Sequence, residues 1–551
     1  MKKLLIFALL WAAPAFAQCG WTDANTHIPS GYPSTFVYPA VGGSYTDATG
    51  CVVTRITNGT LSHNGNGINV EYNCCTALSA DNQYVLGFVR GSPNVTTQGP
   101  EIYDRQGNII VKASNVPGNL QELKWAGPSG TGQAHDGHTI YYLSYTTNSS
   151  SLYVGTFLDN GCAPNCTVTS TLLHTFAGYG STGNMNMEFA GGESDVTNGS
   201  GNYVLLDDDA GGTAVNPTFF NYNLKTGALS TWDFTSAGTH ADGATLLHDD
   251  SVIVNWTSSG TCSPTDCYKG IEHYAIDFTF DKQIFPNTGH YTTGWYGANN
   301  YVVVMDNNHG VCGGGNGVSI ADVATNTKTC IFKAEISPGA SLAGSVSSKN
   351  GWIITYLQDY NSASYTLSAA STTTGTTTDY TDTFGSKCTS NGCVGWYWEI
   401  SGFTHSQNNG GPFLTSTSTS TTITVNNPNG IAETHSGTAV WLNTNTYPLS
   451  PNWASLWAPN YNELVLIPLS TVADYHTHPY WRVVQTRTCS GAQADYWKEP
   501  FGTLSDDATL VAFGSDGCQN STLDYTDIFV LQLYPNGIQV NGVTLSGLSI
   551  Q

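Results

Sequence analysis

Apolar residues in this chain come in short runs, and no long i, i+3, i+4, i+7 stripe marks an amphipathic helix. Val, Ile, Tyr, Phe and Thr gather in brief segments separated by Gly, Asn, Asp and Pro clusters, the pattern of strands joined by turns. The stretch Trp497–Tyr534 shows it best. A strand enters at Leu504-Ser505, a turn follows at Asp506-Asp507, and an apolar strand covers Thr509–Phe513. A loop with Cys518 then leads to a strand over Asp527–Leu533.

Versions of that unit recur along the chain. The first covers Thr76–Phe88, Glu101–Asp104 and Asn108–Val111. The second covers Glu122–Trp125, Thr139–Ser144, Leu152–Phe157 and Thr169–His174. The third covers Glu193–Thr197, Asn202–Leu206, Thr218–Tyr222 and Ala228–Trp232. The fourth covers Asp242–Leu247, Val252–Trp256, Gly270–Ile276 and Phe278–Ile284, and the fifth His290–Gly294, Tyr301–Met305, Gly317–Asp322 and Thr329–Lys333. The sixth begins at Ser341–Ser347 and Trp352–Leu357 and resumes at Glu463–Leu469 and Tyr480–Thr486. A period of roughly 40–50 residues with four strands per unit predicts an all-β fold, a β-propeller of about seven four-stranded blades. The strand Cys51–Ile56 is expected to close the ring with the last unit.

The S-x-D-x-x-x-apolar phrases SADNQYVLGF and SDDATLVAF resemble the TolB-like and oligogalacturonate-lyase-like propellers. The resemblance implies a polar turn between the first two strands of a blade. In the lyase-like members it further implies a His-rich site in which a divalent metal assists β-elimination. Unit six is interrupted by the Ser/Thr-rich Ser362–Gly385, expected as loop or edge strand, and then by Trp398–Val440. The phrases ISGF, NNGGPF, TTITV and GIAET in the latter resemble the small Ig-like β-modules of bacterial surface and phage proteins, so a β-sandwich-like insertion is expected. The expected organisation is therefore a signal at 1–17, an arm at 18–50, and blades one to part of six at 51–360. The Ser/Thr-rich segment and module take 361–460, the rest of blades six and seven 461–534, and a last strand 535–551.

Lys2 and Lys3, the apolar run Leu4–Ala13 and Ala15-Phe16-Ala17 read as a secretory signal, a run too short to span a bilayer. The expectation is a protein with no membrane span that is secreted, or exported to a periplasm, after cleavage of the signal. The 14 cysteines fit that compartment, with Cys162/Cys166, Cys262/Cys267 and Cys388/Cys393 spaced for short loops. Cys312/Cys330 and Cys489/Cys518 can each staple a hairpin, while Cys19, Cys51, Cys74 and Cys75 leave their connectivity open. Disulfides are expected in preference to metal ligation.

There are 17 Lys and Arg against 40 Asp and Glu. A nucleic-acid partner, which needs a basic face to release counterions, is excluded, and a polyanionic glycan is disfavoured unless the few cations converge. The expected partner is an extracellular glycan; the alternative is a non-catalytic surface or matrix protein that makes contacts through the insertion. Oligomeric state is open.

Candidate chemistry is geometric, since neither G-x-S-x-G nor H-E-x-x-H occurs. Residues ahead of the innermost strands converge at the entrance of a propeller's channel, and a concave site needs such convergence. They are Glu71, Glu122, Glu193, Asp195, His240, Asp242, His290, Lys498 and Glu499, with Tyr291, Trp497 and Trp125 near enough to stack on sugars. His240, His290, Glu193 and Glu499 are the catalytic candidates. Two carboxylates suit glycoside hydrolysis, whereas a His base with Lys498 or Arg482 suits β-elimination. A divalent metal, calcium or manganese, is the cofactor expectation. Asp207–Asp209 could bind calcium or form an exposed turn, and His476 and His478 alternate along a strand in a metal-chelating spacing.

Overall fold

A computed structural model of the chain describes residues 19–22, 37–59, 67–70, 76–89, 99–126, 137–179, 188–189, 201–208, 217–262, 267–305, 309–312, 317–333, 342–349, 351–359, 364–372, 376–382, 384–391, 393–394, 396–441, 463–469, 480–487, 500–516, 526–534, 538–540 and 543–545. Six four-stranded antiparallel sheets and one five-stranded sheet follow one another. Their innermost strands are Ile68–Asn69, Leu120–Trp125, Glu188–Phe189, Ala241–Leu246, Tyr291–Tyr296, Leu342–Lys349 and Thr503–Leu504, which define blades 1 to 7. Strands of each blade pack against those of the next, and Leu510–Ser515 of blade 7 returns to Ile68–Asn69 of blade 1. The protein is a β-propeller. No helix among the described residues is long and apolar enough to cross a membrane.

Position within a blade explains the apolar runs. Tyr84–Val89, Val252–Trp256 and Leu510–Ser515 are second strands covered on both faces by neighbouring blades, and every residue in them is buried. The outer strand Leu229–Asp233 faces solvent on one side and has no fully buried residue. Continuous apolarity thus marks the middle of a blade.

The S-x-D phrases do one job twice. Ser79 Oγ donates to Asp81 Oδ1 at 2.7 Å and accepts from Tyr84 N at 3.0 Å. Ser505 Oγ donates to Asp507 Oδ1 at 2.7 Å and accepts from Leu510 N at 3.0 Å. The residue after each aspartate takes a left-handed conformation, Asn82 at φ 62° and Ala508 at φ 54°. The two turns also touch, Asn82 Nδ2 donating to Asp507 Oδ2 at 2.9 Å. One boundary differs from expectation. The strand expected to open at Thr76 is replaced by Ile68–Asn69 as the innermost element, and Leu78 makes only an isolated bridge to Val85. Glu193–Thr197, read as an opening strand, lies outside the described residues; Glu188–Phe189 fills that role.

Ring closure is made by the N-terminal strand. Val52–Arg55 pairs antiparallel with Asp527–Gln532, and Ser44–Thr46 adds outside it. Arg55 crosses the seam, its Nη2 2.6 Å and its Nε 3.2 Å from Asp527 Oδ2. Asp527 Oδ1 accepts from Gly59 N at 2.9 Å and Thr57 Oγ1 at 3.2 Å. Cys19 is disulfide-bonded to Cys51, and Trp21 bridges to Arg482 on the outer strand of blade 6. Arg482 and Glu463 form a fully buried pair with Nη2 to Oε1 at 2.8 Å. The segment before the ring thereby ties blades 6 and 7 together.

Cys162–Cys166, Cys312–Cys330 and Cys388–Cys393 are bonded as the spacing suggests. Cys262 and Cys267 stand as two thiols instead. Residues 1–18, Cys74, Cys75, Cys489 and Cys518 lie outside the described residues.

Between Trp352–Asp359 and Glu463–Pro468 of blade 6 comes a seven-stranded antiparallel sheet with its own core, including Leu367, Tyr380, Trp396, Trp398 and Ile423. Gly410–Ser418 pairs with Tyr397–Ser401 through its first half and with Thr422–Val425 through its second, so the sheet folds over itself. The Ser/Thr-rich segment, expected as loop or edge strand, supplies both edge strands of this sheet, Ser364–Leu367 and Ala369–Thr372, and also Thr378–Thr381 next to one edge. It adds more to the core than expected, with Leu367 and Tyr380 fully buried. Alternation hid this, because one residue in two faces water and is Ser, Thr or Asp.

Breaking a buried pair by removing one partner is strongly destabilising. Asp527→Ala is expected to lower unfolding free energy by about 3 kcal/mol, read from the urea midpoint. A change below about 0.5 kcal/mol would show that the seam does not depend on this pair.

Candidate functional site

The innermost strands run in the same sense around the ring, so their starts share one face. At the start of blade 4's innermost strand the register slips: Ala241 pairs with Trp256 and Gly243 with Asn255. Asp242 is the extra residue of a β-bulge, a device that swings a side chain out of the ladder, and it is exposed. Its carboxylate is nonetheless held, because Asn255 Nδ2 donates to Asp242 Oδ2 at 3.0 Å. The same amide nitrogen donates to Gly289 O at 3.1 Å, beside His290 at the start of blade 5's innermost strand. Asn255 is fully buried, and its Oδ1 has no hydrogen-bond partner among the described residues. One amide therefore clamps the opening residues of two blades.

Asp242 and His290 feel each other. The surrounding wall raises the Asp242 carboxyl above its ordinary value, with the His290 charge pulling partly back. Burial lowers the His290 imidazole below its ordinary value, with Asp242 opposing. Burial thus favours the neutral form of the His290 imidazole.

The other expected residues fall into three groups. His240 immediately precedes the same bulge, half-buried, its carbonyl accepting from Thr257 N at 2.9 Å. Glu122 lies on blade 2's innermost strand, 3.0 Å from Lys124 Nζ, and accepts from Phe189 N of blade 3 at 2.8 Å. It joins two blades across the channel wall. Tyr291, expected to offer its ring to a sugar, is instead fully buried, with its hydroxyl 3.1 Å from Thr245 Oγ1 in the seam between blades 4 and 5. Trp125 is likewise buried and donates to Ala77 O at 3.0 Å. Glu71, Glu193, Asp195, Trp497, Lys498, Glu499, His476 and His478 lie outside the described residues.

Asp207 and Asp208 are buried rather than on an exposed turn, with Asp208 Oδ1 accepting from Thr218 N at 2.7 Å. Among the described residues no set of three His, Cys, Asp or Glu donors converges at the channel entrance. The described residues there do not themselves assemble a calcium or manganese site. Asn255 and Lys124 escaped sequence reading. The signal for Asn255 was a lone amide in the apolar run VIVNW, where a buried polar group needs a reason.

No protein-family profile matches the chain, and no curated protein matches it in sequence. Among solved structures the chain is similar to an oligogalacturonate lyase in complex with manganese, at 10% identity and a TM-score of 0.44, over 89% of this chain and 96% of that one. An oligogalacturonate lyase from Vibrio parahaemolyticus is similar at 10% identity and a TM-score of 0.43, over the same 89% and 96%. The β-propeller domain of the Trilobed protease from Pyrococcus furiosus is similar at 10% identity and a TM-score of 0.29, over 54% of this chain and 88% of that domain.

The coupling of Asp242 and His290 has a sign. The folded state holds fewer protons on His290 than the unfolded chain, so this group's contribution to stability falls as pH drops through about 6.5. By NMR titration the His290 imidazole is expected to protonate below that ordinary value, and Asp242→Asn to lower it further by removing the opposing charge. An upward shift in the variant would show that the two groups do not face each other.

Proposed function

We propose that the channel entrance at blades 4 and 5 binds an extracellular glycan of low charge. The observation that carries this reading is the bulge at Asp242, clamped by a buried asparagine beside a neutral His290. A bulge that re-aims a carboxylate toward a wet, concave entrance gives a bidentate acceptor for sugar hydroxyls. His290 offers a neutral ring nitrogen next to it. The order Asp242–Asn255–Gly289 is set by the fold before any ligand arrives, which reduces the ordering cost of binding.

Charge narrows the ligand. Arg55, Lys124, Lys349, Arg482 and Arg487 each pair with an internal carboxylate, from Asp527, Glu122, Asp506, Glu463 and Asp47 respectively. Cations held in this way do not neutralise a uronate chain. A neutral polysaccharide fits better than a pectin-like one, although the lyases above share the general fold.

Cleavage at this entrance follows if His290 acts as a base or Asp242 as an acid; general acid–base groups contribute about 10²–10⁴-fold. A second reading is favoured by one feature of the insertion. There a cleft of about 640 Å³ is lined by Gln407, Asn409, Phe413, Asn427, Asn429 and Ile431. This is an amide-and-aromatic surface suited to a non-catalytic surface or matrix contact.

The test is a screen of the mature protein against neutral and uronic-acid polysaccharides, following retention, new reducing ends and unsaturated-uronate absorbance. The expected outcome is retention on a neutral glycan, weakened at least about tenfold in Asp242→Asn. New reducing ends lost in the same variant would add hydrolysis. Unsaturated products would overturn the charge reasoning, and retention unchanged in Asp242→Asn would move the contact to the insertion.

A further inference from the structure

Away from the channel entrance, blade 4 carries a second cluster of ligating groups. Cys262, Cys267 and Glu272 bring two sulfurs and a carboxylate oxygen together within 4.8 Å of one another. Asp159, Cys162 and Cys166 form a comparable group, but there the sulfurs are bonded to each other and cannot ligate.

We propose that Cys262 Sγ, Cys267 Sγ and Glu272 Oε1 form a three-ligand site for a borderline-soft divalent cation of the zinc class, with the fourth position open to water. Two thiolates and one carboxylate are donors zinc accepts, and sulfur selects it over calcium or magnesium. In a tetrahedral site with metal–sulfur bonds of about 2.3 Å and metal–oxygen bonds of about 2.1 Å, the ligand atoms stand about 3.6–3.8 Å apart, inside the 4.8 Å span of the cluster. Cys262 Sγ donates to Glu272 Oε1 at 2.9 Å, so a proton holds the place a cation would take.

Glu272 is the reason to look for a cation. It is fully buried on the strand Ile271–Tyr274 and its carboxylate is fixed on both sides. Oε2 accepts from Trp256 Nε1 at 2.8 Å and from the Tyr274 hydroxyl. Oε1 accepts from Tyr268 N at 2.9 Å and Lys269 N at 3.0 Å. Outer partners that orient a ligating carboxylate in this way are a recurrent part of metal sites. No salt-bridge partner is recorded for Glu272 among the described residues, and buried carboxylates are usually neutralised by one.

The loop bearing the two cysteines is also held without a covalent staple. Gln283 Nε2 donates to Gly260 O and Lys269 O, each at 2.8 Å, and its Oε1 accepts from Cys262 N at 3.1 Å. Both thiols are half-buried, which leaves a route for an ion. The binding step balances simply: two thiols release two protons and M²⁺ takes their place, with no change in oxidation state.

The test uses the full mature chain. The protein is first alkylated under denaturing conditions without reductant, and the peptide carrying Cys262 and Cys267 is recovered by mass spectrometry. Recovery of both as alkylated thiols is expected, whereas recovery as a Cys262–Cys267 disulfide would overturn the proposal. The chelator-treated protein is then titrated with Co²⁺, and Zn²⁺ is added in competition. One equivalent is expected, with a thiolate-to-cobalt charge-transfer band displaced by zinc. Cys267→Ser should remove the band, and Glu272→Gln should weaken cobalt binding at least about tenfold. Absence of the band in the wild type, or its persistence in Cys267→Ser, would overturn the proposal. The alkylation and wild-type titration stand even if a variant fails to fold.

Discussion

The antiparallel pairing of Val52–Arg55 with Asp527–Gln532 is the contact on which the rest of the ring depends. Blades 1 to 5 are built from consecutive strands and blade 6 is interrupted by the inserted sheet, but blade 7 takes its outer strands from the far end of the sequence. An unclosed ring would leave two exposed sheet edges, a template for association with other chains. The loop closed by this pairing contains almost the whole protein, and the entropic cost of closing it must be offset by the bonds made across the seam. That explains why the seam concentrates polar as well as backbone bonding. Arg55 and Asp527 lock it, Tyr38 lies 4.7 Å from Phe529 over it, and the Cys19–Cys51 bridge fastens the segment beyond it.

A closed ring forces the innermost strands to begin on one face, and that gives a carboxylate and an imidazole from different blades the chance to meet. The meeting still needs a local departure from the ladder. A regular strand would have kept Asp242 facing along the pleat, whereas the bulge turns it outward and leaves Asn255 to hold it. Two residues distant in sequence thus share a site because one fold rule holds globally and another is broken locally.

Legibility from sequence followed the same division. The repeat, the closing strand and the S-x-D turns were readable because each rests on a local rule: continuous apolarity for a strand covered on both faces, and side-chain-to-backbone bonding for the turn at Ser79 and Ser505. Tyr291 and Trp125 were misjudged because proximity to the entrance in sequence does not say which face of a strand a ring takes. In both cases the seam between blades claimed it. The Ser/Thr-rich segment reads as loop or edge strand, and two of its strands are the edges of the inserted sheet. Its share in the core was missed, the buried half being only Leu367, Ala370 and Tyr380. Asn255 was invisible as a partner of Asp242 because the bulge that joins them leaves no mark in the sequence.

The acidic balance of the chain takes on a different meaning in the structure. A net charge of -23 first reads as a surface property of the whole protein. Three of the described cations, however, are drawn inward: Lys124, Lys349 and Arg482 are buried, each against a carboxylate, whereas Lys225 and Lys328 stay exposed. Buried pairs of this kind bring little net stability but are costly to break, so the cations are fixed in their internal roles. Each such pair withdraws one charge of either sign, so the acidic excess of the chain is carried by the groups outside these pairs. An anionic glycan approaching the proposed site would meet that excess before making any contact at Asp242 or His290.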